Sequence, residues 1–162
     1  MYKAIISFII VAGLLTGCKD DNHKHGDAEH GHLHGDEVHT SVEIEPLAYT
    51  LYTDKSELFV EFKPLIVGET SKFAAHFTQL GENFKAVTEG SVTVSLIGNG
   101  TQLTDKAEAP SSPGIFRLAL NPENPGTYQL VFDIQTKEFS DKITIANITV
   151  YPDTQTALVN QQ

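Results

Sequence analysis

The sequence predicts an all-β protein, an antiparallel β-sandwich of about eight or nine strands behind an N-terminal signal and a polar leader. Three observations carry this. From Leu47 onward the apolar residues fall in short alternating runs and not at helical spacing. Turn-forming stretches such as Gly98-Asn99-Gly100 and Asn121-Pro122-Glu123-Asn124-Pro125-Gly126 separate those runs. The runs also crowd into roughly 105 residues, the density expected of a sandwich and too tight for alternating strands and helices.

Taken in order, Tyr49–Thr53 reads as a first strand. Glu57–Phe62 alternates, with Leu58, Val60 and Phe62 on one face. Ser71–Leu80 follows, with Phe73, Ala75 and Phe77 on one face and Ala74, His76 and Thr78 on the other. Ser91–Ile97 turns Val92, Val94 and Leu96 inward, and Gly98-Asn99-Gly100 marks a tight hairpin into a short return strand at Thr101–Thr104. Pro110–Gly114 is a loop, Ile115–Leu120 a strand, and Thr127–Gln135 and Lys142–Tyr151 are the longest late strands. Gly126-Thr127-Tyr128 has the pattern of a tyrosine corner, with Leu130 at the position where antibody domains carry a cysteine. That feature makes the expected sandwich immunoglobulin-like, with apolar packing in place of a disulfide. The single cysteine of the chain excludes an internal disulfide.

The segments around this domain have different chemistry. Residues 1–17 read as a secretory signal: Lys3 supplies the positive end, and Ala4 to Leu15 form an apolar run too short to cross a bilayer comfortably. Leu15-Thr16-Gly17-Cys18 closely resembles the lipobox of bacterial lipoproteins, which implies cleavage before Cys18 and lipidation of that residue. Several acyl chains on one cysteine exceed the two-signal requirement for stable anchoring. Residues 18–45 are acidic and poor in apolar side chains, so they are expected to form a disordered tether. The sandwich is expected over residues 46–152 and a flexible tail over residues 153–162.

The tether holds six of the seven histidines of the chain. They form two copies of the pattern H-x-H-G-D-x-x-H, offset by nine residues. His23, His25, Asp27 and His30 in the first copy correspond to His32, His34, Asp36 and His39 in the second. Each copy offers three imidazoles and one carboxylate, enough for a four-coordinate site. Neutral imidazole suits Zn(II), Cu(II), Ni(II) and Co(II), so one of these divalent transition metals is the expected ligand. With only the initiator methionine in the chain, the thioethers that favour Cu(I) are absent. The alternative for the segment is an inert polar spacer. His76 lies in the predicted sandwich on a polar strand face, where a surface histidine is the expected reading and an additional metal ligand the alternative.

Other classes are excluded by composition. The net charge is −10 and no basic run occurs, which removes the cations a nucleic-acid partner requires. No nucleophile elbow, phosphate-binding glycine loop or H-E-x-x-H motif is present, so no enzyme activity is expected. Carboxylates such as Glu61, Glu69 and Glu89 read as solvated positions and not as an acid–base pair.

Several stretches of the predicted sandwich resemble the N-terminal region of periplasmic adaptor subunits (membrane fusion proteins) of heavy-metal efflux systems of the resistance-nodulation-division class, in their Bacteroidetes-type lipoprotein form. These are Asp54 to Phe62, Ser71 to Thr78, Val87 to Val94 and Ala109 to Phe116. The resemblance implies a membrane-anchored lipoprotein of the Gram-negative cell envelope that faces the periplasm, with metal ions and efflux-pump components as partners. Adaptors of that family continue past a segment like Val150-Tyr151-Pro152-Asp153 into a helical hairpin, a lipoyl domain and a β-barrel. Here no heptad-patterned helix follows, so the expectation is a truncated or split adaptor or a free-standing copy of its first module. The competing function, from a different class, is an adhesion or protein-interaction sandwich on a hydrophilic stalk.

Overall fold

The computed structural model describes residues 43–82 and 84–161. Among these residues the chain forms ten strands and one short helix. The strands are β1 (Leu47–Tyr52), β2 (Ser56–Phe62), β3 (Leu65–Ile66), β4 (Ser71–Gln79), β5 (Lys85–Ala86), β6 (Ser91–Gly98), β7 (Thr101–Ala107), β8 (Ile115–Leu120), β9 (Gly126–Gln135) and β10 (Ser140–Tyr151), and the helix is α1 (Thr154–Val159). One sheet runs β1-β2-β4, with β8 and β5 both paired along the far side of β4; the other runs β3-β10-β9-β6-β7. All pairings are antiparallel except that of β3 with the end of β10. The two sheets pack face to face as an all-β sandwich.

The alternation in the sequence builds the core directly. In β4, Phe73, Ala75 and Phe77 are buried while Lys72 is exposed and His76 is half-buried. β2 contributes Leu58, Val60 and Phe62; β6 contributes Val92, Val94 and Leu96; β9 contributes Tyr128, Leu130, Phe132 and Ile134. These side chains form one apolar cluster between the sheets. Phe73 meets Phe132 across the gap at 6.2 Å, and Phe77 lies edge-on to Phe116 of the neighbouring strand at 6.0 Å. Register is set where one face must be buried, because a one-residue slip would turn each apolar set to solvent.

Three local devices shape the sheets. Asn99 (φ 51°) and Gly100 (φ 74°) form the two-residue turn joining β6 to β7, both in the left-handed conformation that such hairpins need. The Tyr128 hydroxyl donates to the Asn124 carbonyl at 3.0 Å, so the tyrosine at the start of β9 pins the preceding turn. β10 changes register between Ile145 and Ile148, with Asn147 at φ 59°, which is a β-bulge in the longest strand.

The structure departs from the sequence expectations at three places. β3 and β5 are two-residue strands that no alternation could reveal. β7 extends to Ala107, past the expected Thr104, because its polar residues sit on an edge and need no apolar pattern. Residues 153–161 are not a free tail. Asp153 caps α1 by accepting from the Thr156 N–H at 2.7 Å, Ala157 is fully buried, and the Gln161 side chain bonds both the N–H and the carbonyl of Glu45. A capped turn with a buried methyl on one side suffices to hold this segment against the domain.

Candidate functional site

The duplicated histidine segment, comprising His23, His25, Asp27, His30, His32, His34, Asp36 and His39, lies outside the described residues, as does Cys18. Of the residues with an expected ligand role, His76 alone is described. β4 places it on the outer face of its sheet, in a row with Thr50 of β1, Phe59 of β2 and Ile115 of β8. Its ring meets the edge of Phe59 with centroids 5.6 Å apart. This is a half-buried histidine supported by an aromatic neighbour. No group of three or more His, Cys, Asp or Glu side chains suited to a metal occurs among the described residues.

The end of the sandwich where the leader joins it is built from polar contacts. Glu43 pairs with Lys63 at 3.3 Å, and Thr154 donates to Glu69 at 2.9 Å. Between these pairs lies a shallow cleft of about 370 Å³ lined by Glu43, Ile44, Lys63, Ile66, Glu69 and Thr154. Both exposed pairs are solvated, and each contributes little to stability. The reciprocal Glu45–Gln161 bonds bring the first and last described segments side by side at this end.

A second polar cluster joins the two sheets. Asp141, near the start of β10, accepts hydrogen bonds from the hydroxyls of Thr53 and Ser56 (2.6 Å for Ser56) and from the Lys142 N–H at 2.8 Å. Thr53 and Ser56 belong to the β1–β2 turn in the opposite sheet, and Lys55 in that turn reaches the Ser140 carbonyl at 2.9 Å. Burial opposes the charge on Asp141. The bonds from Ser56, Thr53 and the Lys142 N–H, with the Lys55 charge, outweigh it and hold the carboxyl below the usual carboxylate range. A further tie crosses the other side of the sandwich, where Asp105 of β7 accepts from the Ala119 N–H of β8 at 2.8 Å. Sequence reading found neither tie, since their partners lie far apart in the chain and share no motif.

No protein-family model, curated protein or solved structure matches the chain. The functional reading therefore rests on the residues themselves.

Proposed function

We propose that this protein is a lipid-anchored protein of the Gram-negative cell envelope that captures divalent transition-metal ions on its two H-x-H-G-D-x-x-H segments, as the first module of a heavy-metal efflux adaptor. The single observation that carries the reading is the duplication. His23, His25, Asp27 and His30 recur at the same spacing as His32, His34, Asp36 and His39, and each set supplies three imidazoles and one carboxylate. In an extended chain the H-x-H spacing turns both rings to one side, and the aspartate can bind the ion or orient a ring. The surrounding acids, within a net charge of −10, draw cations toward the segment.

Two features support reading the domain as immunoglobulin-like. The chain passes from β2 in one sheet to β3 in the other, where β3 lies parallel to β10. The Tyr128–Asn124 bond is the contact a tyrosine corner makes. The domain then serves as a compact body that presents the metal-binding segment and docks to pump components.

Calorimetric titration of the full chain with Zn(II) and Cu(II) tests the function. The expected result is about two ions per chain at micromolar or tighter affinity, one per repeat. Changing His23, His25, His30, His32, His34 and His39 together to Ala abolishes that binding. Affinity no better than that of an acidic polymer of equal charge would overturn the proposal and leave the sandwich as an interaction module on a polar stalk.

A further inference from the structure

The four sheet edges of the sandwich are not treated alike. On β8, the Ile115 N–H donates to the Ser112 carbonyl at 2.8 Å, the Ile115 carbonyl accepts from the Ser111 N–H at 2.7 Å, and the Ala119 N–H is taken by Asp105. β10 is interrupted by its bulge, pairs with β3 at Val150 and Tyr151, and has its Ser140 carbonyl occupied by Lys55. β7 carries Asp105 and Lys106 in a largely polar sequence. Bulges, charges and covering groups are the devices by which sheet edges are protected from pairing with another chain. Among the described residues, β1 has none of them. Its sequence, Leu47-Ala48-Tyr49-Thr50-Leu51-Tyr52, has no charge, proline, glycine or bulge, and it is rich in strand-forming residues.

The phase of its hydrogen bonds follows from its neighbours. The Thr53 N–H donates to the Ser56 carbonyl, and on the far side of β2 the Leu80 N–H donates to the Lys55 carbonyl. Bonding alternates along antiparallel pairs, so Leu47, Tyr49 and Leu51 direct their backbone groups to β2. Ala48, Thr50 and Tyr52 direct theirs to the open edge. The side chains of Leu47, Tyr49 and Leu51 face the core yet are only half-buried, and Tyr52 on the outer face is 66% exposed.

We infer that β1 is a docking edge for a second copy of this chain, paired antiparallel to its own β1 across a two-fold axis at Thr50. In this register Thr50 meets the partner's Thr50, Ala48 meets the partner's Tyr52, and Tyr49 meets the partner's Leu51. The three hydrogen-bonded pairs make about six backbone bonds and use every group the edge presents. A shift of one residue would set the inner face of one copy against the outer face of the other. A shift of two loses a bonded pair. Charge also favours a second copy at this edge. At net −10 two copies repel wherever their charged surfaces meet, and β1 is an uncharged strip whose nearest strand-borne acids, Glu57 and Glu61, sit on β2. The contact is small for a protein interface, which places the dimer among weak, reversible associations.

The inference rests on the folded domain and not on metal binding, so the two fail separately. The experiment uses the full chain carrying Cys18→Ser, with Thr50→Cys as its sole thiol. Two such residues facing each other in a bonded pair lie about 5.5 Å apart at Cα, within disulfide range. Mild oxidation is expected to give a disulfide-linked dimer at least about tenfold faster than for Thr104→Cys on the β7 edge in the same background. Hydrogen exchange on the chain without the new cysteine is expected to show Ala48, Thr50 and Tyr52 amides protected at high concentration and exposed on dilution. Thr50→Lys, at an exposed position, removes that protection and leaves core amides such as Phe132 unchanged. Amides that stay exposed at every concentration overturn the inference. Protection without cross-linking of Thr50→Cys overturns it as well, because a different strand then covers β1.

Discussion

Replacing Asp141 by Ala tests whether the two sheets are tied by a polar clasp as well as by the core. Asp141 accepts two side-chain hydroxyl bonds from the opposite sheet, and Ser56 has no solvent exposure. Hydrogen bonds to a charged acceptor contribute about 1.5–3 kcal/mol each, and a buried hydroxyl left without a partner costs about 1–3 kcal/mol. Asp141 is itself partly open to water, so the lower end of each range applies. Thr53 keeps a bond to the Ser56 carbonyl, which leaves the Ser56 hydroxyl as the orphan. The expected loss is about 3 kcal/mol, a fall in Tm on the order of 10 °C for a domain of this size. Ser56→Ala alone costs about 1 kcal/mol, since it removes the bond but leaves no buried hydroxyl without a partner. Because the two residues share one bond, the double variant is less destabilised than the sum by about 1–2 kcal/mol. Urea unfolding followed by circular dichroism supplies all three numbers. The pH dependence has a definite sign. The folded-state pKa of Asp141 lies below its unfolded value of about 3.9, so its contribution is complete above that value and fades as pH falls through the folded one. The gap between the wild-type protein and Asp141→Asn therefore narrows on acidification. A loss under about 0.5 kcal/mol in Asp141→Ala, or additive single substitutions, would refute the clasp.

Other substitutions have equally definite outcomes. Tyr128→Phe removes the bond to the Asn124 carbonyl and keeps the ring, so it lowers stability by about 1 kcal/mol by urea unfolding with the slope unchanged. Gly90→Ala drives a Cβ into the Gln135 carbonyl oxygen at φ +98°; expression in the soluble fraction collapses, or thermal unfolding moves down by more than about 10 °C. Metal affinity on the histidine repeats declines steeply below about pH 6, as imidazoles with an ordinary pKa near 6.5 become protonated, which calorimetry across pH 5–8 reads directly. His76→Ala leaves the metal stoichiometry unchanged in the same titration, since each repeat carries three imidazoles and a carboxylate of its own.

Most of the eight longer strands were legible because one face is turned to the core, whereas β7, with no buried residue, was marked by the hairpin turn before it and its end was not. A strand such as β4, with Phe73, Ala75 and Phe77 on the inside, writes its burial into every second residue. β3 and β5 have two residues each and no period to read. The helix at the C-terminal end left a faint signal in Pro152-Asp153-Thr154, an N-cap residue just before a helix. Only six residues follow Asp153 before the helix ends, too few for an apolar stripe, and its one fully buried side chain is Ala157. The Asp141 clasp and the Asp105 tie were invisible for a different reason. Ser56 and Asp141 are 85 residues apart, and polar residues chosen for a partner across the sandwich look like any other surface residue. The candidate site shows the opposite relation. Its proposed ligands lie close together in sequence, so spacing alone displays them.

That contrast bears on how the molecule divides its work. A metal site assembled from distant strands would depend on the core for its geometry, and a destabilised core would release its ion. A site made from H-x-H-G-D-x-x-H takes its ligands from consecutive residues and orders them on binding. Substitutions such as Asp141→Ala should therefore shift unfolding without changing metal stoichiometry, and substitutions at His23 to His39 should do the reverse. The described domain meets this leader at Glu43 to Pro46, held by Lys63 and by Gln161 from the other end of the chain. The bonds between the Glu45 backbone and the Gln161 side chain therefore hold the first and last described segments together at one end of the sandwich.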